Sequence, residues 1–113
     1  MDRSFSLHRG ADFEQVWNEG KSWSHPLLIL RARANGMARC RFGFVAGKKV
    51  GKANQRNRAK RLMREAVRHR LTKIAPGWDV ILIARGNTTQ ATLSEIDTAL
   101  ETLIQRAQLL VNS

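Results

Sequence analysis

Hydrophobic positions along the chain switch between a helical period and a strand period. In "ADFEQVWNEG" (11–20), Phe13, Val16 and Trp17 recur at helical spacing, and Gly20 stands where the helix would stop. Strand-type runs follow. "PLLILRARA" (26–34) is rich in β-forming residues and ends by alternating Arg31 and Arg33 with alanines. "RCRFGFVA" (39–46) sets Cys40, Phe42, Phe44 and Ala46 against Arg39, Arg41 and Gly43. Asn35-Gly36 between these runs predicts a hairpin turn, and a weaker strand signal precedes Pro26, around "KSWSH".

From about Asn54 to Leu71 the period returns to helical. Ala59, Leu62, Met63, Ala66, Val67 and Leu71 form a core-facing stripe on a helix of roughly 27 Å. "APGW" breaks it. "WDVILIAR" (78–85) is apolar at consecutive positions, as expected of a strand covered on both faces. Thr92 and Glu95 make a T-x-x-E capping box, and Ile96, Leu100, Leu103, Ile104 and Ala107 share a face of the helix it opens. The predicted order is α-β-β-β-α-β-α. The fold class is α+β: a single-domain sandwich over 1–113, with a mixed four-stranded sheet packed with helices and an extended segment at residues 1–8.

A length of 113 residues fits one domain with a modest core, and a hydrophobic fraction of 42% is too high for a disordered basic tail. Cys40 is the only cysteine, so no internal disulfide forms. "MDRSFSLHRG" lacks the apolar run of a signal peptide, and "PLLIL" and "VILIA" are far too short to span a bilayer. The expected location is cytoplasmic, without a membrane partner.

Charge changes the picture most. Twenty basic residues stand against nine acidic ones, for a net charge of +11. In Gly47–Arg70, ten of 24 residues are Lys or Arg and only Glu65 is acidic. Lys60, Arg61, Arg64 and Arg68 fall opposite the apolar stripe, together with Asn57. Arg56, Arg58, Lys60 and Arg61 sit near the helix start, with Lys52 just before it. There the macrodipole favours acids, so each cation is locally unfavourable by up to ~1 kcal/mol. A phosphate backbone turns that penalty into attraction. A solvated helix face would carry both signs, and a membrane-surface helix would need the apolar stripe that the core needs. A polyanion partner is the reading that remains.

Other chemistry is poorly supplied. In "GKKVGKA" three residues, not four, separate the glycines, and Ala53 stands where a P-loop needs Ser or Thr. A helix-turn-helix lacks its first helix, since strand-like sequence leads into Gly47. His8, His25 and His69 share no motif, and the nine carboxylates show no metal-site spacing. A structural RNA-binding protein of the ribosomal kind fits the composition as well as a processing factor does.

Lys48-Lys49-Val50-Gly51-Lys52-Ala53, then Arg56-Asn57-Arg58 and Lys60-Arg61, closely resemble the signature of the bacterial ribonuclease P protein family. "ADFEQVW" resembles that family's first helix and "PGWDVILIAR" its last strand, so the resemblance covers nearly the whole chain. His8, Ala46-Gly47 and Asn54-Gln55 depart from the family's usual residues.

The resemblance implies a ribonuclease P protein-like fold and a partner role beside a catalytic RNA. That enzyme removes the 5′ leader of precursor tRNA by phosphodiester hydrolysis, with Mg2+ held mainly by the RNA. It implies no catalytic residue and no metal on this chain, and no protein partner is required. It assigns Lys48, Lys49, Lys52, Arg56, Asn57, Arg58, Lys60, Arg61, Arg64 and Arg68 to the catalytic RNA. It also implies a cleft between the first helix and the sheet for the single-stranded leader, with Phe13 and Trp17 at its aromatic positions. Arg31, Arg33, Arg39 and Arg41 with Phe42 or Phe44 would complete that cleft. Periodicity alone favours plain core packing for Phe13 and Trp17, and the resemblance brings a stacking platform level with it. Trp23, Trp78 and Cys40 read as packing residues.

Overall fold

A computed structural model describes residues 5–8 and 10–109. Helix α1 spans Ala11–Glu19, strands β1, β2 and β3 span Lys21–Ser24, Leu28–Ala34 and Arg41–Ala46, helix α2 spans Ala53–Arg68, strand β4 spans Trp78–Ala84, and helix α3 spans Leu93–Ala107. The four strands form one mixed sheet in the order β1-β2-β4-β3. The predicted order of elements and the α+β class are those observed. Residues 1–4 of the predicted extended segment lie outside the described residues. Leu7 is buried, and its N–H donates to Phe42 O at 2.8 Å, so this part of the segment is pinned to the outer edge of β3.

The predicted hairpin does not form. β4 lies between β2 and β3, antiparallel to the first and parallel to the second. Asn35-Gly36 makes a turn, with Gly36 at φ 68, but the loop closes on the residue before β4 rather than on β3. Asn35 N–H donates to Gly77 O at 2.8 Å, and Gly77 N–H donates to Arg39 O at 3.1 Å. Val80, Ile81 and Leu82 are buried on both faces, which only an inner slot provides. The strand with most apolar surface to hide takes that slot. The hairpin pair is instead β1–β2.

Two cores result. Leu28, Leu30, Val80, Leu82 and Phe42 pack under Met63, Val67, Ile96, Leu100 and Ile104, which puts α2 and α3 on one face. On the other face α1 seats Phe13 and Val16 over Ile81 and Leu7. Close approach matters there: a Cβ on Gly43 would lie 3.1 Å from the Phe13 ring. Gly20 ends α1 for a similar reason. Its backbone is extended, but a Cβ would sit 2.6 Å from Val16 O.

Candidate nucleic-acid interface

The basic helix begins at the carboxyl ends of the two parallel strands. Ala46 of β3 and Ala84 of β4 lie in register, a short 3-10 turn at Lys48–Val50 follows β3, and α2 starts at Ala53. With no acid in its first turn, α2 is closed by Gln55, whose Oε1 accepts from Lys52 N–H at 2.8 Å. Gly51 at φ 137 makes this possible, because a Cβ there would fall 1.8 Å from Gln55 Oε1. Gln55 therefore caps the helix.

Ala59, Met63, Ala66 and Val67 are buried, which turns Asn57, Arg61, Arg64 and Arg68 outward. Lys48, Lys49 and Lys52 are exposed on the approach to the helix. Among the described residues Lys48, Lys49, Lys52, Lys60 and Arg61 make no ion pair. Others are engaged internally. Arg58 donates to Thr89 O at 2.7 Å and to Ala91 O, tying α2 to the turn before α3. Arg68 pairs with Glu65 at 2.6 Å. Arg64 lies over the Phe44 ring, 5.4 Å from its centroid. Arg56 is half-buried, and its Nε is a buried donor with no partner. Arg85 joins this end although the sequence reading did not single it out. It follows β4 directly and is exposed, and the adjoining Gly86 approaches the Lys49 backbone so closely that a Cβ would lie 3.3 Å from Lys49 O. A lone cation closing an apolar strand was the available signal.

The α1 face holds a second feature. Phe13 and Trp17 stack with centroids 6.1 Å apart and planes 13° from parallel. Phe13 is 4% exposed and Trp17 is 43% exposed. The two readings thus divide: Phe13 is core, and Trp17 presents its ring. An open recess of about 470 Å3 beside it is lined by Trp17, Ser22, Ser24, Ile29, Arg31 and Ile83.

Several residues assigned to this cleft stand elsewhere or are engaged. Phe42 is 3% exposed in the core under α2, and Phe44 is half-buried on that same face. Strand alternation sends Arg41, Gly43 and Val45 toward α1 instead, so neither phenylalanine reaches the cleft. Arg31 closes the end of α1, donating to Gly20 O at 2.7 Å, Val16 O at 3.4 Å and Ser22 Oγ at 2.5 Å. Arg33 pairs with Glu19 at 3.2 Å. Arg41 forks onto buried Asp79 at 2.9 and 2.7 Å and reaches Asp12 at 3.1 Å. The hydrogen bonds that Arg41 donates to Asp79 raise its own pKa, so it stays charged while its charge is answered internally. Arg39 is exposed on the loop before β3 and makes no ion pair among the described residues.

Several carboxylates are engaged in the same way. Asp12 and Asp79 share Arg41, Asp97 and Glu101 share Arg70, and Glu19 faces Arg33. Among the described residues no three His, Cys, Asp or Glu side chains gather where they could hold a metal ion. No helix among the described residues is long and apolar enough to cross a membrane.

A basic helix, mounted on a mixed sheet and preceded by a lysine-rich turn, carries several cations that make no ion pair among the described residues, and the other face of the sheet holds an exposed aromatic recess: this is an α+β domain suited to a polyanion. The sequence model of the family described as Ribonuclease P matches residues 1–108. The ribonuclease P protein component of Herpetosiphon aurantiacus is 46% identical over 112 residues, covering 96% of this chain and 89% of that protein. That of Clostridioides difficile is 36% identical over 110 residues, covering 96% of each. The solved RNase P protein of Staphylococcus aureus superposes with a TM-score of 0.85 at 27% identity, over 95% of this chain and 98% of that one. The RNase P protein from Thermotoga maritima gives 0.81 at 29% identity, over 96% and 98%. The chain belongs to the ribonuclease P protein family. Membership makes it a subunit of an endoribonuclease of tRNA 5′ processing, in partnership with ribonuclease P RNA.

Proposed function

We propose that this subunit binds the catalytic RNA through the basic band of α2 and its preceding turn, and holds the unpaired 5′ leader of precursor tRNA against Trp17. Lys48, Lys49, Lys52, Asn57, Lys60 and Arg61 meet phosphates and 2′-hydroxyls of the folded RNA, with Arg85 extending the band. Arg58 and Arg64 orient the helix as much as they bind. Mg2+ held by the RNA would supply the hydrolytic chemistry, and the protein contributes neutralising charge and leader contacts rather than a nucleophile. Leader contacts favour precursor over product and are lost on cleavage, which helps the mature tRNA leave. The cytoplasm, where tRNA precursors are made in bacteria, is the corresponding location.

The observation that carries this proposal is the band of cations on α2 and the Lys48–Lys52 approach that lack internal partners. The test is cleavage of a precursor tRNA at low magnesium and near-physiological salt, with protein alone, bacterial ribonuclease P RNA alone, and both together. Rescue only in the mixture is expected. Cleavage by the protein alone would place catalysis on this chain. Binding without rescue would reduce it to a structural RNA-binding protein.

A further inference from the structure

Among the described residues strand β1 has a neighbour on one side only, so its other edge is a rim shared by both faces of the sheet. Alternation along it sends Ser22 and Ser24 to the Trp17 recess, and Lys21 and Trp23 to the face that α3 covers. On that second face lies another open recess, of about 410 Å3, where α3 ends. The register explains why it exists. On β2, Ala32 stands opposite Lys21 and Ala34 opposite Trp78, so small side chains form a floor between two large rings, Trp23 and Trp78. Both indoles are half-buried: one part packs on the core and the remainder faces the recess.

The rim is cationic. Lys21 is exposed and makes no ion pair among the described residues. Arg106 is exposed and, among the described residues, donates to Ser24 O at 3.1 Å and makes no ion pair. Arg33 and Glu19 close the side toward α1, and Glu19 is the only acid in the lining. At the end of α3, Gln108 takes the left-handed conformation at φ 58, which glycine adopts at lower cost, and so a polar side chain stands at the rim.

Two aromatic walls, an apolar floor and a rim of one predominant sign suit a planar base with flanking phosphates. The volume lies within the ~300–1,000 Å3 of small-molecule sites. We propose that this recess is a second seat for single-stranded RNA, which receives the leader after it crosses β1 from the Trp17 recess. A base lies against Trp23 or Trp78, and Lys21 and Arg106 meet its phosphates. The proposal rests on the leader reading above for the source of the RNA, and adds a site on the opposite face of the sheet.

The chain has three tryptophans, one in the first recess and two in the second, so fluorotryptophan labelling gives each recess its own 19F signal. The probe is an oligouridylate of about ten nucleotides, a length comparable with the ~4–16 nucleotides that single-strand-binding OB folds occupy. All three resonances are expected to shift on titration. In the double variant Lys21→Gln/Arg106→Gln, the Trp23 and Trp78 shifts should disappear at the same RNA concentration while the Trp17 shift stays. The slope of log K against log salt should drop by about 0.7 per lost phosphate contact. In the holoenzyme, precursor tRNA with a long leader should reproduce the Trp23 and Trp78 shifts, and a leader just long enough to reach Trp17 should not. A shift of Trp17 alone would overturn this proposal and leave the leader reading standing. No shift at all would overturn both. Undiminished Trp23 and Trp78 shifts in the double variant, or with the short leader, would mean that the second recess does not hold the leader.

Discussion

Replacing Trp17 by Leu separates a stacking platform from a packing residue. One face of the indole is backed by Phe13, with centroids 6.1 Å apart, and the residue is 43% exposed, so the free side has room for one base. Stacking of one base on an aromatic ring contributes about 1–3 kcal/mol. At about 1.4 kcal/mol per tenfold in affinity, precursor tRNA should bind the holoenzyme about 5- to 150-fold more weakly. Mature tRNA has no leader and should bind unchanged. The fold should survive, because Leu keeps an apolar contact on Phe13 and gives up only the ring-pair term of about 0.5–1.5 kcal/mol, a fraction of the ~5–15 kcal/mol typical of a domain. The assay is equilibrium binding of precursor and mature tRNA to holoenzyme reconstituted with each protein, with a denaturation curve as control. Equal losses on the two tRNAs would refute the reasoning, since they would mean that Trp17 acts through the fold. So would unchanged precursor binding by a folded variant.

The remaining predictions concern the band and its supports. Lys49→Ala and Arg61→Ala remove cations without ion-pair partners, so each should lower the salt slope of assembly with the catalytic RNA by about 0.7–0.9 and leave thermal stability within about 0.5 kcal/mol. Arg58→Ala should cost about 1 kcal/mol of stability as well, from the lost bonds to Thr89 and Ala91, measured by urea unfolding. Asp79→Ala strands Arg41, whose side chain is 17% exposed against 6% for Asp79, and should destabilise by about 3–5 kcal/mol in denaturant melts. A loss below ~1 kcal/mol there would mean that Asp12 alone satisfies the guanidinium. Burial pushes the Cys40 thiol up from its ordinary pKa, and its Sγ–H donates to Ala75 O. Alkylation should therefore be slow near neutral pH and track unfolding. Labelling as fast as a free thiol would refute its burial.

How far the sequence reached differs between elements. The stripe of α2 was legible because a helix sorts its own residues: positions three and four apart share a face whatever the rest of the chain does. The same holds for the T-x-x-E cap of α3, where Thr92 and Glu95 do exchange hydrogen bonds. Strand neighbours were not legible in this way. Asn35-Gly36 is a local signal for a hairpin, yet the pairing was settled by β4, more than forty residues later, which brings apolar side chains that need cover on both faces.

The site divides along the same line. By itself the sequence determined the sign and the place of the basic band, because the apolar stripe leaves the cations of α2 nowhere to turn but outward. It also determined the class of fold, since element type follows from local period. Only the tertiary structure decided which cations are free. Arg31, Arg33 and Arg41 alternate along strands like a basic rim, but folding brings the end of α1, Glu19, Asp12 and Asp79 against them, and each spends its charge internally. It likewise decided that Phe42 is buried and Trp17 is not, and that β1 carries a recess on each face. Pairing and exposure depend on groups distant in sequence, and a period read along the chain carries no record of them.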